Sequence, residues 1–513
     1  MRQKLLMRNT ATSLLYQFCN IVCAFILPRC ILLYYGSQVN GLVTSVTQFL
    51  EVITFLDLGV GAVLQSALYK PLADRDAKGI GQIIHSGDRF FRRIAAILFV
   101  YVLALTVLYP FLAKRSDFTP MYTAWLVLII GVAAFAQHYF GIVDSLLLYA
   151  DQHGYVQYSV KICTLLANTA VCVMLMRRGY GIHAVKITTS VIFLVRPIIY
   201  KIYVRRHYKF RRREPYVEEP IRQKWNGIAQ HIAGVVLENT DSIILTLFAT
   251  FEDVSIYDVY HLVVYGIKSV FVAMTNGMQA LLGNLWAKQE TETLGNTFAW
   301  VEWVLHTAAV VIFGCTGMLL LPFVRIYTAD ITDAQYIQPL FSVLIVSAQF
   351  VHSIRLPYHM MIKAGGHYKQ TQNNYIIAAV LNIVLSVVTV RIWGLVGVAI
   401  GTLAAMLYQT VWMAWYCCKK LLHISMKGFI RLFITDLCTA AVCVAVTCHI
   451  PVHADNYFAL ALYGALFAAI WAAVAAVINL LFCRGQARQL IRFIRSKETG
   501  KEDISDAKSI SGE

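Results

Sequence analysis

The chain is a succession of apolar runs about 20 residues long, each the length a helix needs to cross roughly 30 Å of hydrocarbon, separated by short polar breaks. In lipid every backbone N–H and C=O must be satisfied within its own segment, so such a series folds only as a bundle of membrane-spanning helices. Composition agrees: 58% of the 513 residues are hydrophobic and 14% are charged, where a soluble domain carries about 25% charged residues. The pattern places spans at about 11–35, 40–64, 92–112, 121–148, 155–176, 181–204, 226–250, 254–282, 298–321, 337–361, 373–391, 394–418, 429–450 and 457–483. It predicts an all-α integral membrane protein with about 14 transmembrane helices. The first run follows Arg2, Lys4 and Arg8; it is too long for a signal peptide, lacks a small-residue cleavage site, and reads as a retained span.

A net charge of +16 could suggest a nucleic-acid partner, but its distribution excludes one. Most of the 44 Lys and Arg fall in the termini and the even-numbered connections, against six in the odd-numbered ones: Lys114, Arg115, Arg177, Arg178, Arg325 and Arg391. The positive-inside rule therefore puts both termini in the cytoplasm of a multi-pass protein of the cell membrane. The longest internal connection, from Arg205 to Lys224, reads as a basic cytoplasmic linker that also contacts anionic lipid. The twelve cysteines form no CxxC pair and no metal-ligand spacing, and read as small apolar packing residues.

An internal repeat organises the chain. At a shift of about 214 residues Ala150 meets Ala364, His153 meets His367, Asn168 meets Asn382 and Arg177 meets Arg391. One residue of slippage later, GIHAVKITT (Gly181 to Thr189) lies over GLVGVAIGT (Gly394 to Thr402). A repeat with an even number of helices keeps its orientation, so two six-helix lobes should be related by a pseudo-two-fold axis along the membrane normal, the plan of many transporters. The expected domains are an N-lobe at 1–204, the linker at 205–225, a C-lobe at 226–420, helices 13 and 14 at 421–484, and a polar tail at 485–513.

Ionisable groups inside a bilayer are costly and usually face a wet cavity or one another. Span 8 carries Asp258, His261, Tyr265, Lys268, Thr275 and Gln279 on one face, and span 7 carries His231, Glu238 and Asp241 in phase. Span 2 shows Thr44, Gln48 and Glu51, with Asp57 beyond, and span 10 shows Gln349, His352, Arg355 and His359. Span 1 adds Asn20 and Arg29, the latter after an expected kink at Pro28. Two readings stand side by side. In one, Arg29, Lys268 and Arg355 form a cationic cavity for an anionic substrate, while Glu51, Asp57, Glu238, Asp241, Asp258 and His261 pair with them or bind a coupling cation. In the other, these charges only hold helices together. Lys161, Lys186, Arg196 and Asp144 lie near span ends, where snorkelling accounts for them. With no P-loop, GxSxG, HExxH or paired cysteine ligands, the chain is expected to be neither an enzyme nor dependent on a cofactor or bound ATP.

The segments FLDLGVGAVLQSALYKPLADRD (Phe55 to Asp76), ENTDSIILTLFATFEDVSIYDVYHLV (Glu238 to Val263), GNLWAKQE (Gly283 to Glu290) and WGLVGVAIGT (Trp393 to Thr402) give the chain a resemblance over nearly its whole length. It resembles polysaccharide flippases of the Wzx type, in the superfamily that also holds multidrug exporters and lipid II flippases. The resemblance implies two lobes around a cationic lumen that alternate between inward-open and outward-open states, turning an undecaprenyl-diphosphate-linked oligosaccharide across the membrane. It places lumen cations on helices such as 1 and 8, where Arg29 and Lys268 stand. The partners it implies are the lipid-linked oligosaccharide, membrane lipids, a coupling cation (Na+ or H+), and the glycan polymerase and glycosyltransferases on either side of the step. The rival on the same fold is a cation-coupled exporter of small molecules of the multidrug type, which the in-span acids support. A third reading, a membrane-embedded polysaccharide polymerase or ligase, calls for a long outer loop with convergent Arg, His or acidic groups, and the outer loops here are short.

Overall fold

The computed structural model describes residues 2–112, 118–216, 239–483 and 485, with the side chains at 2–4, 6, 53–60, 62, 133, 136–138, 273, 274, 276, 277 and 280 outside that description. Among the described residues there is no strand. The helices are α1 (Arg2–Ala73), α2 (Ala77–Leu112), α3 (Pro120–Phe140), α4 (Ile142–Ala150), α5 (Gly154–Arg177), α6 (Ile182–His207), α7 (239–248), α8 (Phe251–Ala287), α9 (Thr291–Tyr327), α10 (Pro339–Ile354), α11 (Leu356–Ala364), α12 (Tyr368–Tyr416), α13 (Lys427–Thr447) and α14 (Tyr457–Phe482). The protein is an all-α, multi-pass membrane protein.

Local chemistry explains where these helices differ from single spans. Among the described residues nine helical stretches are long and apolar enough to cross a membrane, and two of them, Met7–Val52 and Tyr368–Leu421, run to 46 and 54 residues, room for two crossings each. Each of these holds one glycine with positive φ, Gly36 (83°) in α1 and Gly394 (53°) in α12, a conformation that costs glycine little and other residues more. The backbone of α1 leaves helical geometry at Gly36, not at Pro28, where the sequence suggested a kink. Span 10 is divided into α10 and α11 at Arg355. Pro357 lacks the N–H that would have bonded the Ser353 carbonyl, and the helix breaks within that turn.

Contacts divide the chain into two compact units. The first comprises residues 1–262, 327–336 and 369–405. One cluster of its core gathers Leu42, Val46, Leu98, Val102, Tyr109, Leu126 and Met176 from α1, α2, α3 and α5. A second, at the other end of those helices, gathers Leu64, Leu68, Ile84, Phe91, Leu147 and Tyr200. The other unit comprises 263–326, 337–368 and 406–513; there Trp471 of α14 is buried with Val310, Cys443 and Phe467 against α9 and α13.

The first half of the basic linker is docked, not merely solvated. Gln82 Nε2 donates to the Pro215 carbonyl at 2.9 Å, and His85 Nδ1 lies 2.9 Å from the Glu214 carbonyl. Arg212 bridges Asp88 of α2 and Asp144 of α4, each at 2.7 Å. Asp144 has 0% side-chain exposure and is thus a buried ion-pair partner, where the sequence suggested a snorkelling residue. Residues 217–225 of the linker and 486–513 of the tail lie outside the described residues.

At the same end, between α4 and α5, His153 Nδ1 lies 3.2 Å from Asp151 Oδ2, and Tyr208 donates to that oxygen at 2.6 Å. The hydrogen bond to Asp151 raises the His153 pKa above its ordinary value. Burial pushes Asp151 upward, yet the bonds from His153 and Tyr208 hold it below the usual carboxylate range. A raised histidine contributes stability in full below its unfolded pKa of about 6.5 and loses it as pH climbs through the folded value. The lowered acid contributes above about 3.9 and loses its share as pH falls through its own folded value. Thermal unfolding should therefore come earlier at about pH 8 than at about pH 6 in the wild type, and this difference should shrink in His153→Gln. An unchanged difference would place the pH dependence elsewhere.

Candidate functional site

In the first unit the in-span acids sit in polar surroundings built by several helices. Asp241 of α7 is buried and accepts from Thr402 Oγ1 with both carboxylate oxygens at 2.8 Å, from Tyr257 O–H at 3.2 Å, and from Asn382. Among the described residues no cationic side chain lies within ion-pair distance of it. Asn382 in turn donates to Thr402 at 2.9 Å, and its buried Oδ1 has no partner among the described residues. His261 stacks on Tyr257 with 5.4 Å between ring centroids, so Tyr257 connects two of the expected site residues.

Asp258, next along α8 from Tyr257, accepts from Asn40 and Thr44 of α1 and feels the positive charge of Lys186 on α6. Lys186 thus faces an acid, where the sequence suggested snorkelling. Arg29 lies 3.7 Å from Asp330, with its guanidinium 5.9 Å from the Tyr327 ring centre. Glu51 is half-buried in α1. Glu238 and the Asp57 side chain lie outside the described residues.

The second unit holds the remaining cations. Lys268 of α8 and Arg355 at the α10–α11 break are 6% and 5% exposed, too deep for snorkelling to explain them. Both act electrostatically on His352. Arg355 Nη2 lies 2.7 Å from His352 Nδ1, and its Nη1 lies 3.6 Å from Met406 Sδ. His359 also feels Arg355. On α12, Thr410 donates to the Val351 carbonyl at 3.2 Å, so Gln409 stands in register with this segment of α10. Among the described residues the side-chain oxygens of Gln349 and Gln409 have no hydrogen-bond partner. One Lys or Arg at a helix centre costs about 2.5–3.5 kcal/mol in insertion measurements.

The repeat is visible in side-chain bonding. In the first half Cys172 contacts Asn168, Thr189 and the Val185 carbonyl, at 3.3, 3.4 and 3.7 Å. In the second half Ser386 donates to the Val398 carbonyl at 3.4 Å and Asn382 to Thr402. The same Asn and Thr positions are reused, and a carboxylate, Asp241, joins them in the second half.

One further cluster lies outside the residues that sequence reasoning singled out. His306 Nδ1 of α9 lies 2.6 Å from Asp436 of α13, Glu302 accepts from Tyr358, and Trp303 donates to Asn479 of α14 at 2.6 Å. These residues are single polar interruptions in apolar spans, and only the i, i+4 spacing of Glu302 and His306 hints at a shared face.

No model of a known protein family and no curated sequence matches the chain. Solved structures do match. The lipid II flippase MurJ, in an inward-closed conformation, superposes with a TM-score of 0.69 at 11% identity, covering 93% of this chain and 98% of that one. An inward-facing multidrug resistance MATE family transporter of the MOP superfamily gives 0.55 at 14% identity, over 82% of this chain and 94% of that one. The MATE multidrug transporter DinF-BH gives 0.58 at 14% identity, over 82% and 97%. The chain therefore has the fold of these membrane transporters.

Proposed function

We propose that the protein is a flippase of the cell membrane that carries an undecaprenyl-diphosphate-linked oligosaccharide across by alternating access, with both termini in the cytoplasm. The observation that carries this reading is the buried gathering of Lys268, His352 and Arg355 in the second unit. A diphosphate bearing polar sugars cannot enter hydrocarbon without compensating positive charge, and guanidinium and ammonium groups make strong charge-assisted hydrogen bonds to phosphate oxygens. Rocking of helices 1–6 against 7–12 of the repeat would expose the cations to each side in turn, while the lipid tail stays in the bilayer.

Asp241 fits the coupling ion. It is a buried carboxylate beside Thr402, and among the described residues it has no cationic partner and the Asn382 carbonyl oxygen no hydrogen-bond donor. One carboxylate with neutral oxygens suits Na+ or H+; among the described residues no three His, Cys, Asp or Glu converge as a transition-metal site. Glu51, Asp57, Glu238, Asp258 and His261 complete the polar lining in this reading. These acids also suit the rival, a cation-coupled small-molecule exporter.

The experiment is depletion of the protein in its host, with lipid-linked sugar assayed separately in each leaflet. Build-up on the cytoplasmic leaflet with loss of surface polymer is the expected result. An unchanged leaflet distribution, with new sensitivity to small cationic compounds, would transfer the assignment to the rival.

A further inference from the structure

Four neutral polar side chains share the stretch of the second unit that holds the buried cations. Ser342, Gln349 and Ser353 recur at spacings of seven and four on one face of α10. Gln409 of α12 stands between Met406, which reaches Arg355 at 3.6 Å, and Thr410, which bonds the Val351 carbonyl at 3.2 Å. Gln349 is three residues from His352 and six from Arg355, about 4.5 and 9 Å along a helix. All four are buried, Gln349 at 9% exposure and Gln409 at 0%.

Among the described residues Ser342 Oγ, Ser353 Oγ and Gln349 Oε1 have no hydrogen-bond partner, and Gln409 has none at either end of its amide. Exchanging the two ends of the Gln409 amide therefore changes nothing. Elsewhere in this unit the same chemistry is satisfied. Thr316 and Thr439 each donate to the carbonyl four residues earlier. The Asn479 amide donates to the Ala475 carbonyl and accepts from Trp303. A buried polar atom that has given up water without gaining a partner is costly, and four such side chains on one segment call for the polar atoms of a bound molecule.

We propose that Gln349 and Gln409, with Ser342 and Ser353, bind the first sugar of the cargo, the ring joined to the diphosphate. The inference rests on the flippase reading above and names what that site recognises besides charge. In a lipid-linked sugar the first ring is bonded directly to a phosphate, so it lies beside whatever holds that phosphate, here Lys268 and Arg355. Its hydroxyls both donate and accept, as do serine hydroxyls and the two ends of a glutamine amide. One glutamine can donate to a ring hydroxyl and accept from its neighbour. A small organic cation or a coupling ion does not suit these groups, because Lys268 and Arg355 repel both. Their enclosure fits a carrier, which closes around the polar head of its cargo between its two open states.

The test measures the binding of four lipids to the full-length protein in phosphatidylcholine nanodiscs: undecaprenyl diphosphate alone, and the same lipid carrying glucose, galactose or N-acetylglucosamine. The wild type should bind at least one glycosylated lipid about thirtyfold more tightly than the bare one, the yield of two net hydrogen bonds. The double variant Gln349→Met, Gln409→Met keeps unbranched side chains of similar length and should bring that ratio to about one. Its thermal unfolding without lipid should come no earlier than in the wild type, because unpartnered amides have left the core. Lys268→Ala should weaken all four lipids alike and leave the ratio in place. Equal binding of the four lipids by the wild type, a ratio that survives the double variant, or earlier unfolding of that variant would each overturn the assignment and leave the flippase reading standing. Failure of the wild type to bind any of the four would remove both.

Discussion

Lys268→Ala is expected to abolish surface glycan while leaving the protein folded and inserted. The side chain is 6% exposed in the middle of α8, its Nζ 5.7 Å from the Tyr265 ring centre, and its charge reaches His352 on α10. If this gathering of positive charge exists for a diphosphate, removing one member deletes a charge-assisted contact contributing about 1.5–3 kcal/mol, or roughly ten- to hundredfold in cargo affinity. Folding should suffer less, because alanine is the best helix former and leaves the middle of α8 apolar. Lys268→Arg keeps the charge and should retain partial export. Surface polymer is measured by immunoblot against the glycan, with membrane-fraction abundance and thermal unfolding as controls. Normal export by a well-folded Lys268→Ala protein would take Lys268 out of the site.

The residues at issue were unequally legible in the sequence. Lys268, Arg355 and Asp258 announce themselves, because a charge within twenty apolar residues is rare and its helical phase can be counted. Thr402 and Asn382 do not, since neutral polar residues occur throughout membrane helices; only their recurrence with Thr189 and Asn168 across the repeat marked them, and Asp241 gives that recurrence a chemical meaning. The helix breaks show a similar limit. Pro28 carries the stronger sequence signal, yet Gly36 carries the break: a proline ring can be tolerated inside a membrane helix, whereas a positive φ falls most cheaply on glycine. His306 and Asp436 were not legible as a pair because they lie on different spans, and their pairing depends on how α9 and α13 pack.

Arg212→Ala should be the most destabilising single change at the linker, at about 3 kcal/mol. The guanidinium serves two acids at once: Nε and Nη2 bond the two Asp88 oxygens at 2.7 and 2.9 Å, and Nη1 bonds Asp144 Oδ1 at 2.7 Å. Among the described residues Asp144 Oδ2 has no hydrogen-bond partner, and the Asp144 side chain is fully buried, so truncating Arg212 strands that carboxylate at the end of an apolar bundle and leaves Asp88 with only the Arg92 guanidinium at 3.9 Å. Breaking a buried pair by removing one partner typically costs about 3–5 kcal/mol, and the 32% exposure of Arg212 places this case at the low end. The docked segment at 211–216 should then detach and become open to proteolysis, because beyond the Tyr208–Asp151 bond Gln82 and His85 hold it through neutral bonds to the carbonyls of Pro215 and Glu214. Adding Asp88→Asn and Asp144→Asn to Arg212→Ala removes both carboxylate charges and should recover most of the loss. That rescue separates an electrostatic role from a packing one: full destabilisation persisting in the triple variant would show that Arg212 acts through the contacts of its stem.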